Sequence, residues 1–303
     1  MRKNLPPFLL GYLALSVQIF LLREFTVHFY GNEITIGFIL GSWLLWGGLG
    51  SILAPRKNFK PSRLAMTMYL VILLFPVCFI LLRLSRFLTG ALPGEITGIV
   101  PMWFFSFILA FFISFPLGVM FVFNVLFANG RISRVYLLES VGSATAGLLV
   151  YFVLIPHVSN WQACALVGAV TSLLTFIALG ERKQIVLLAG LLAFLAGFSA
   201  FDLPSQKIFW KPFPLIETKD TPYGKLQIIK THEQVSLYNN TLLVYSYPDL
   251  AASEESVHFA LLQRPQARSA LLIGGGAGGG LSQALKYPHL KVDYVELNPE
   301  IIR

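Results

Sequence analysis

Long unbroken apolar runs fill the first two hundred residues, and short alternating runs follow them. The apolar stretches fall at 5–22, 34–54, 64–82, 98–123, 136–156, 161–179 and 184–201. Each is near or above the roughly 18–20 residues that cross a bilayer core, although the last two are short and rich in Gly and Ala. From about Asp202 polar and apolar residues alternate and Pro becomes frequent. Within 221–246, Leu226, Ile228 and Lys230 oppose Gln227 and Ile229, and Asn239-Asn240 predicts a hairpin turn because Asn tolerates positive φ. Residues 253–263 predict a helix with Ser253 as its N-cap and Glu254 and Glu255 in its first turn. Residues 270–273 read as a buried strand, 281–286 as the start of a helix, and 292–297 as a second strand parallel to the first. The pattern thus predicts a helical bundle of about seven spans over 1–201. A linker and small β-hairpin unit follow over 202–252, and the start of an α/β Rossmann-like domain over 253–303.

Composition agrees with that division. The chain is 55% hydrophobic and only 13% charged, where a soluble domain is near 25% charged. The first apolar run is too long for a cleaved signal peptide and no small-x-small cleavage pattern follows it. Cys78 and Cys164 both lie in apolar runs, which argues against a disulfide framework or a thiolate metal site. The net charge of +8 gathers in short loops beside the apolar runs, where it orients a membrane protein, so no nucleic-acid partner is expected. Arg2, Lys3, Arg56, Lys57, Lys60, Arg63, Arg131, Arg134, Arg182 and Lys183 fall on one side; Arg23, Arg83 and Arg86 fall on the other. This favours a cytoplasmic N-terminus. Seven crossings would then put the second region outside, whereas a cytosolic cofactor needs it inside, and the side stays open.

Within the bundle, Gly37, Gly41, Gly47, Gly48 and Ser51, and again Gly142, Ala146 and Gly147, form small-residue faces suited to close helix packing. Glu139 near the start of a span has either a structural partner such as Arg134 or a transport or proton role. Arg23, Glu24 and Glu33 bracket a loop and are expected at the interface. His28 and His157 read as isolated loop residues with structural roles and no second metal ligand.

The chemistry-bearing motif is GGGAGGG at 274–280, entered from the apolar run at 270–273 and followed by Glu296. A strand, a glycine turn, a helix and a second strand ending in a carboxylate are the parts that hold a nucleoside cofactor. Glycine lets the ligand approach the backbone, and the carboxylate takes two ribose hydroxyls. The spacing of Gly274, Gly276 and Gly279 also fits a dinucleotide, or no ligand at all.

The order Thr221-Pro222-Tyr223-Gly224, hairpin, SEESVHF, LLIGGGAGGG, LKYP and VEL resembles the spermidine synthase family of polyamine aminopropyltransferases. The segments REFTVHFYGNE and YLLESVGSATAG resemble the multi-span module fused to such domains in bacterial membrane proteins. The resemblance implies that Gly274, Gly275, Gly276, Gly278, Gly279 and Glu296 hold decarboxylated S-adenosylmethionine or a related S-adenosyl compound, with no metal. It implies that Tyr223 and His258 contact a polyamine or other small amine, although His258 also fits a packing role. It places the protein in the bacterial cytoplasmic (inner) membrane, with the lipid bilayer as its surroundings and homo-oligomerisation left open. Ala277, Phe259 and Asn298 depart from the family's acidic residues at those positions. The family's catalytic Asp residues come from a later strand end, downstream of Arg303. The chain is therefore expected to be a fragment, inactive by itself, that lacks the catalytic region. Two other readings are a polyamine or small-molecule transporter or sensor with a degenerate nucleoside-binding domain, and a purely structural membrane protein.

Overall fold

The computed structural model describes residues 3–57 and 59–302; Arg2, Arg303 and the side chain of Lys183 lie outside the described residues. The chain divides into two compact units, Met1–Phe209 and Trp210–Arg303.

The first unit is helical: α1 (Leu5–His28), α2 (Glu33–Leu53), α3 (Pro61–Thr89), α4 (Ile99–Phe127), α5 (Ile132–His157), α6 (Asn160–Leu179), α7 (Ile185–Ala200) and α8 (Asp202–Phe209). Local chemistry sets the ends. Asn32 accepts from the Ile34 N–H to start α2, Ser159 and Gln162 form a reciprocal capping box on α6, and Gly90 closes α3 in the left-handed conformation. Six of these helices, α1 to α6, are long and apolar enough to cross a membrane; α7 meets that test only together with α8, from which it bends by 47°. The seventh expected span is therefore a shorter helix that breaks at Phe201. There α8 begins with Asp202, whose carboxylate is bound to Arg83.

The unit is apolar outside and carries small polar groups within. Leu44, Leu88 and Val186 are 75%, 79% and 82% exposed, while Ser16, Ser106, Thr171 and Ser172 are fully buried. The interior also holds a large apolar core that includes Leu13, Phe20 and Phe79, and the apolar outer surface suits surroundings of lipid. Two helix pairs lie backbone to backbone. A Cβ on Gly50 would stand 2.1 Å from the Phe115 carbonyl oxygen, and one on Gly118 would stand 2.1 Å from that of Gly47, so α2 and α4 meet through bare backbone. A Cβ on Gly11 would stand 1.9 Å from the Glu139 oxygen, and one on Gly142 would stand 2.1 Å from that of Phe8, joining α1 to α5. The packing role expected of Gly47, Ser51 and Gly142 holds. Gly37, Gly41 and Gly48 have nothing within 4 Å of an added Cβ, because they form a separate stripe on α2 that faces away from α4.

Several expectations for single residues are corrected. Glu24 is buried near the end of α1 and not in a loop, and Arg83 and Arg86 are buried in α3 and not in a loop. His28 ends α1 and bonds Ser85 Oγ at 2.8 Å; His157 ends α5 and reaches the Val153 carbonyl at 2.8 Å. Arg134 donates to Asn4 Oδ1 at 2.7 Å, so it is not spent on the half-buried Glu139.

The second unit opens with a four-stranded antiparallel meander, β1 (Leu215–Thr221), β2 (Gly224–Thr231), β3 (Gln234–Asn239) and β4 (Leu242–Tyr247). Alternation predicted one hairpin and the structure holds three, each closed by two residues. The last turn is Asn240-Thr241, with φ of 51° and 60°, one residue later than expected, because Asn239 still pairs with Leu242. Two consecutive positive φ values give the turn that matches strand twist. Next come α9 (Leu250–Leu262), β5 (Ser269–Ile273), a short helix α10 (Leu281–Ala284) and β6 (Lys291–Val295). Strands β5 and β6 pair in parallel, as expected. The N-cap of α9 is Asp249, which accepts from the Ala252 N–H at 3.0 Å; Ser253 lies inside the first turn and donates to the Leu250 carbonyl. Strand β5 is not the buried strand its composition suggested. Leu271 and Ile273 are 63% and 77% exposed, because one face of the two-stranded sheet is uncovered.

Candidate functional site

The glycine run is the bend that joins β5 to α10. Gly274, Gly275 and Gly279 take φ of 69°, 71° and 104°, conformations that a side chain strains, so glycine is favoured there, most of all at Gly279. The Gly274 N–H donates to the Val295 carbonyl at 2.8 Å, which pins the turn to the end of β6. Added Cβ atoms on Gly274 and Gly275 would meet nothing within 4 Å, so this side of the turn presents bare backbone to open space. The other glycines face protein. A Cβ on Gly276 would strike the Tyr294 ring at 2.6 Å, one on Gly278 would meet Tyr245 Cβ at 2.9 Å, and one on Gly279 would meet Ser253 Cβ at 3.0 Å.

Glu296 follows β6 and is half-buried. Its Oε2 accepts from the Tyr294 hydroxyl at 2.8 Å and its Oε1 from the Asn298 N–H at 3.3 Å. Burial raises the Tyr294 and Tyr245 pKa values above the usual phenol range, and the Glu296 charge raises both further by disfavouring phenolate. Tyr245 and Tyr294 thus flank the glycine turn and share the field of one carboxylate. The sequence reading missed both as site residues. Strand periodicity carried the signal for Tyr294, since residues two apart share a face. For Tyr245, β-alternation alone does not tell which outer face of the sheet another element covers.

The other expected residues are placed differently. Tyr223 lies in the tight turn after β1, 47% exposed, with its N–H on Thr221 Oγ1 at 3.2 Å. His258 sits on α9, and its Nδ1 is 2.7 Å from the Tyr287 hydroxyl, the tyrosine of the LKYP segment. Among the described residues, neither hydrogen-bonds to Glu296 or to the glycine turn. Asn298, where the family has an acid, is buried and donates to Thr221 Oγ1 at 3.1 Å, tying the end of β6 to β1.

The second unit also carries a cleft of about 330 Å³ with Glu217, Lys219, Leu226, Ile228, Tyr245 and Glu300 in its wall. Tyr245 lines this cleft and also packs against Gly278. Lys219 is paired with Glu300, and Glu217 is exposed. Among the described residues no three His, Cys, Asp or Glu side chains gather as a metal site.

A second polar cluster lies within the helical unit. Arg83 Nε donates to Glu24 Oε1 at 3.0 Å and its Nη2 pairs with Asp202 Oδ1 at 2.8 Å. The guanidinium lies 3.9 Å from the centre of the Trp161 ring, whose N–H donates to Glu24 at 3.1 Å, and Asn160 Nδ2 donates to Glu24 Oε2 at 3.1 Å. Two carboxylates and a cation in fixed mutual contact tie the ends of α1, α3, α6 and α8 together.

Comparison with known proteins points in one direction. The chain is 28% identical over 188 residues to polyamine aminopropyltransferase 2 of Aquifex aeolicus, covering 57% of this chain and 36% of the relative. It is 31% identical over 190 residues to polyamine aminopropyltransferase 2 of Ralstonia nicotianae, covering 56% and 37%. It is 34% identical over 89 residues to the polyamine aminopropyltransferase of Corynebacterium efficiens, covering 29% and 17%. The resemblance to the polyamine aminopropyltransferases is borne out by these relatives. The two longer matches exceed the length of the strand-bearing unit, so the similarity extends into the helical one. The chain spans little more than a third of the length of the first of these relatives. No family model matches the chain, and no solved structure matches it.

Proposed function

We propose that the protein is a membrane-embedded, spermidine synthase-like protein whose second unit is the nucleoside-holding part of a Rossmann-like aminopropyltransferase domain. The observation that carries this reading is the open backbone of Gly274 and Gly275 beside the Glu296 carboxylate, with Tyr245 and Tyr294 around them. A bare turn fits the close approach of decarboxylated S-adenosylmethionine, and a carboxylate accepts two ribose hydroxyls. Tyr245 packs on the turn at Gly278 and lines the cleft. The exposed carboxylate of Glu217 in the cleft wall suits a polyamine, whose ammonium groups it attracts.

In the reaction this reading assigns to the whole protein, a neutral amine attacks the carbon of the aminopropyl group bonded to the sulfonium. The new C–N bond forms as the C–S bond breaks, the electron pair neutralises the sulfur, and the amine gives its proton to a base. The turn and Glu296 hold the donor so that this carbon is presented at one fixed place, which converts encounter into orientation. Tyr223 and His258 are proposed to act on the amine side, His258 with its ring oriented by Tyr287.

Transport is the competing class, and the buried carboxylates Glu24 and Asp202 are what favour it. Both are bound to Arg83, which makes them a tie between helices more than a cation path. Sealed vesicles carrying the protein, supplied with radiolabelled polyamine, separate the two classes. The enzyme reading expects no accumulation above empty vesicles; uptake that falls in Glu139→Gln would replace it with transport.

A further inference from the structure

Between α3 and α4 the outer surface of the helical unit carries an apolar groove of about 530 Å³, within the range of small-molecule pockets. Met66, Leu70 and Leu74 form one wall, a stripe spaced four apart along α3, and Phe112, Phe115 and Val119 of α4 form the other. Met66 and Leu70 are 48% and 45% exposed, so the protein itself leaves the groove unfilled. From Ser62 to Leu74 the α3 wall runs about 18 Å at the helical rise of about 1.5 Å per residue. One leaflet of hydrocarbon is about 15 Å deep, half of a ~30 Å core. The groove therefore has the depth of a single leaflet.

Its polar end is cationic. Ser62 and Arg63 line the groove at the first turn of α3, and the Arg63 guanidinium donates to the Lys57 carbonyl at 3.4 Å. Residues 54–63 carry Arg56, Lys57, Lys60 and Arg63 and no Asp or Glu. Lys57, Lys60 and Arg63 are all exposed.

We propose that this groove binds one anionic glycerophospholipid, with an acyl chain along the α3–α4 wall and its phosphate against Arg63, Lys57 and Lys60. The inference rests on the reading of the helical unit as membrane-embedded. Charge selects the occupant. Basic pockets between spanning helices, on the side where positive loops gather, suit acidic headgroups, whereas a choline ammonium would meet the same three cations. A second copy docking through the same groove about an axis along the membrane normal would bring the two cationic ends together, which like charge opposes.

The test uses the full chain in neutral detergent, after alkaline carbonate extraction of the membranes; release of the protein there would overturn the membrane reading itself. Thermal melts are then titrated with phosphatidylglycerol, phosphatidylcholine and inorganic phosphate. The proposal expects stabilisation by phosphatidylglycerol at several-fold lower concentration than by phosphatidylcholine, and none by phosphate. Arg63→Gln should raise the half-saturating phosphatidylglycerol concentration about five-fold, the worth of one cation near an acidic surface. Leu70→Trp, which fills the groove, should abolish the response. Equal responses to the two lipids, reproduction by phosphate alone, an unchanged response in Arg63→Gln, or a dimer that Leu70→Trp dissociates would each overturn it.

Discussion

Tyr294 and Glu296 are two residues apart in an extended chain, so the pleat sends both side chains to one face, and they meet in a 2.8 Å hydrogen bond. That bond occupies one carboxylate oxygen a ribose would need. Tyr294→Phe keeps the ring against Gly276 and frees the oxygen, so nucleoside binding should tighten by up to roughly ten-fold, the worth of ~1.5 kcal/mol; equilibrium dialysis against labelled methylthioadenosine reads it. In Glu296→Gln the charge that disfavours phenolate is gone, so Tyr245 and Tyr294 should titrate at lower pH than in the wild type, as ultraviolet difference titration would show. Glu24 shows where sequence reasoning fails at this scale. Beside Arg23 and near a loop it reads as interfacial, yet its partners Arg83, Asn160 and Trp161 come from helices far along the chain. No local pattern announces them. Replacing Arg83 by Met leaves Glu24 and Asp202 without that guanidinium in a buried setting, and should cost about 3–5 kcal/mol, seen as a large drop in the detergent melting temperature.

At the scale of elements, the apolar runs were legible because a membrane demands length and hydrophobicity together. Which face each helix turns inward was not. In α2 the small residues form two stripes: Gly47, Gly50 and Ser51 meet α4, whereas Gly37, Gly41 and Gly48 face outward. Gly118→Ala should therefore overpack the α2–α4 contact and destabilise by about 1–3 kcal/mol, while Gly37→Ala leaves the melting temperature unchanged. The strand meander was half legible for a similar reason. Alternation showed β-structure, but the turns after β1 and β2 lack the Asn-Gly signal and were absorbed into longer runs. The parallel β5–β6 pair with its glycine bend was read correctly, since the conformations at Gly274, Gly275 and Gly279 favour glycine.

For the whole molecule, the helical unit has two chemically different ends. Loops and first helical turns bearing Arg56, Lys57, Lys60, Arg63, Arg131 and Arg134 gather at one end; Glu24, Arg83, Asn160 and Asp202 meet at the other. Because Asp202 is bonded to Arg83, the chain leaves α7 at the end away from the basic loops. Single cysteines at Lys57 and Lys207, both exposed, should thus be labelled from opposite sides of the membrane by an impermeant maleimide. The native Cys78 and Cys164 are buried and add little background. Labelling from one side would mean that α7 and α8 do not complete a crossing. The central claim concerns the glycine bend and its carboxylate, and calorimetric titration of the purified chain with decarboxylated S-adenosylmethionine addresses it most directly. The account predicts one saturable site that weakens about ten-fold or more in Glu296→Gln, as expected for a lost charge-assisted hydrogen bond, with NAD giving no heat. No binding of the sulfonium nucleoside, or binding indifferent to Glu296, would contradict it.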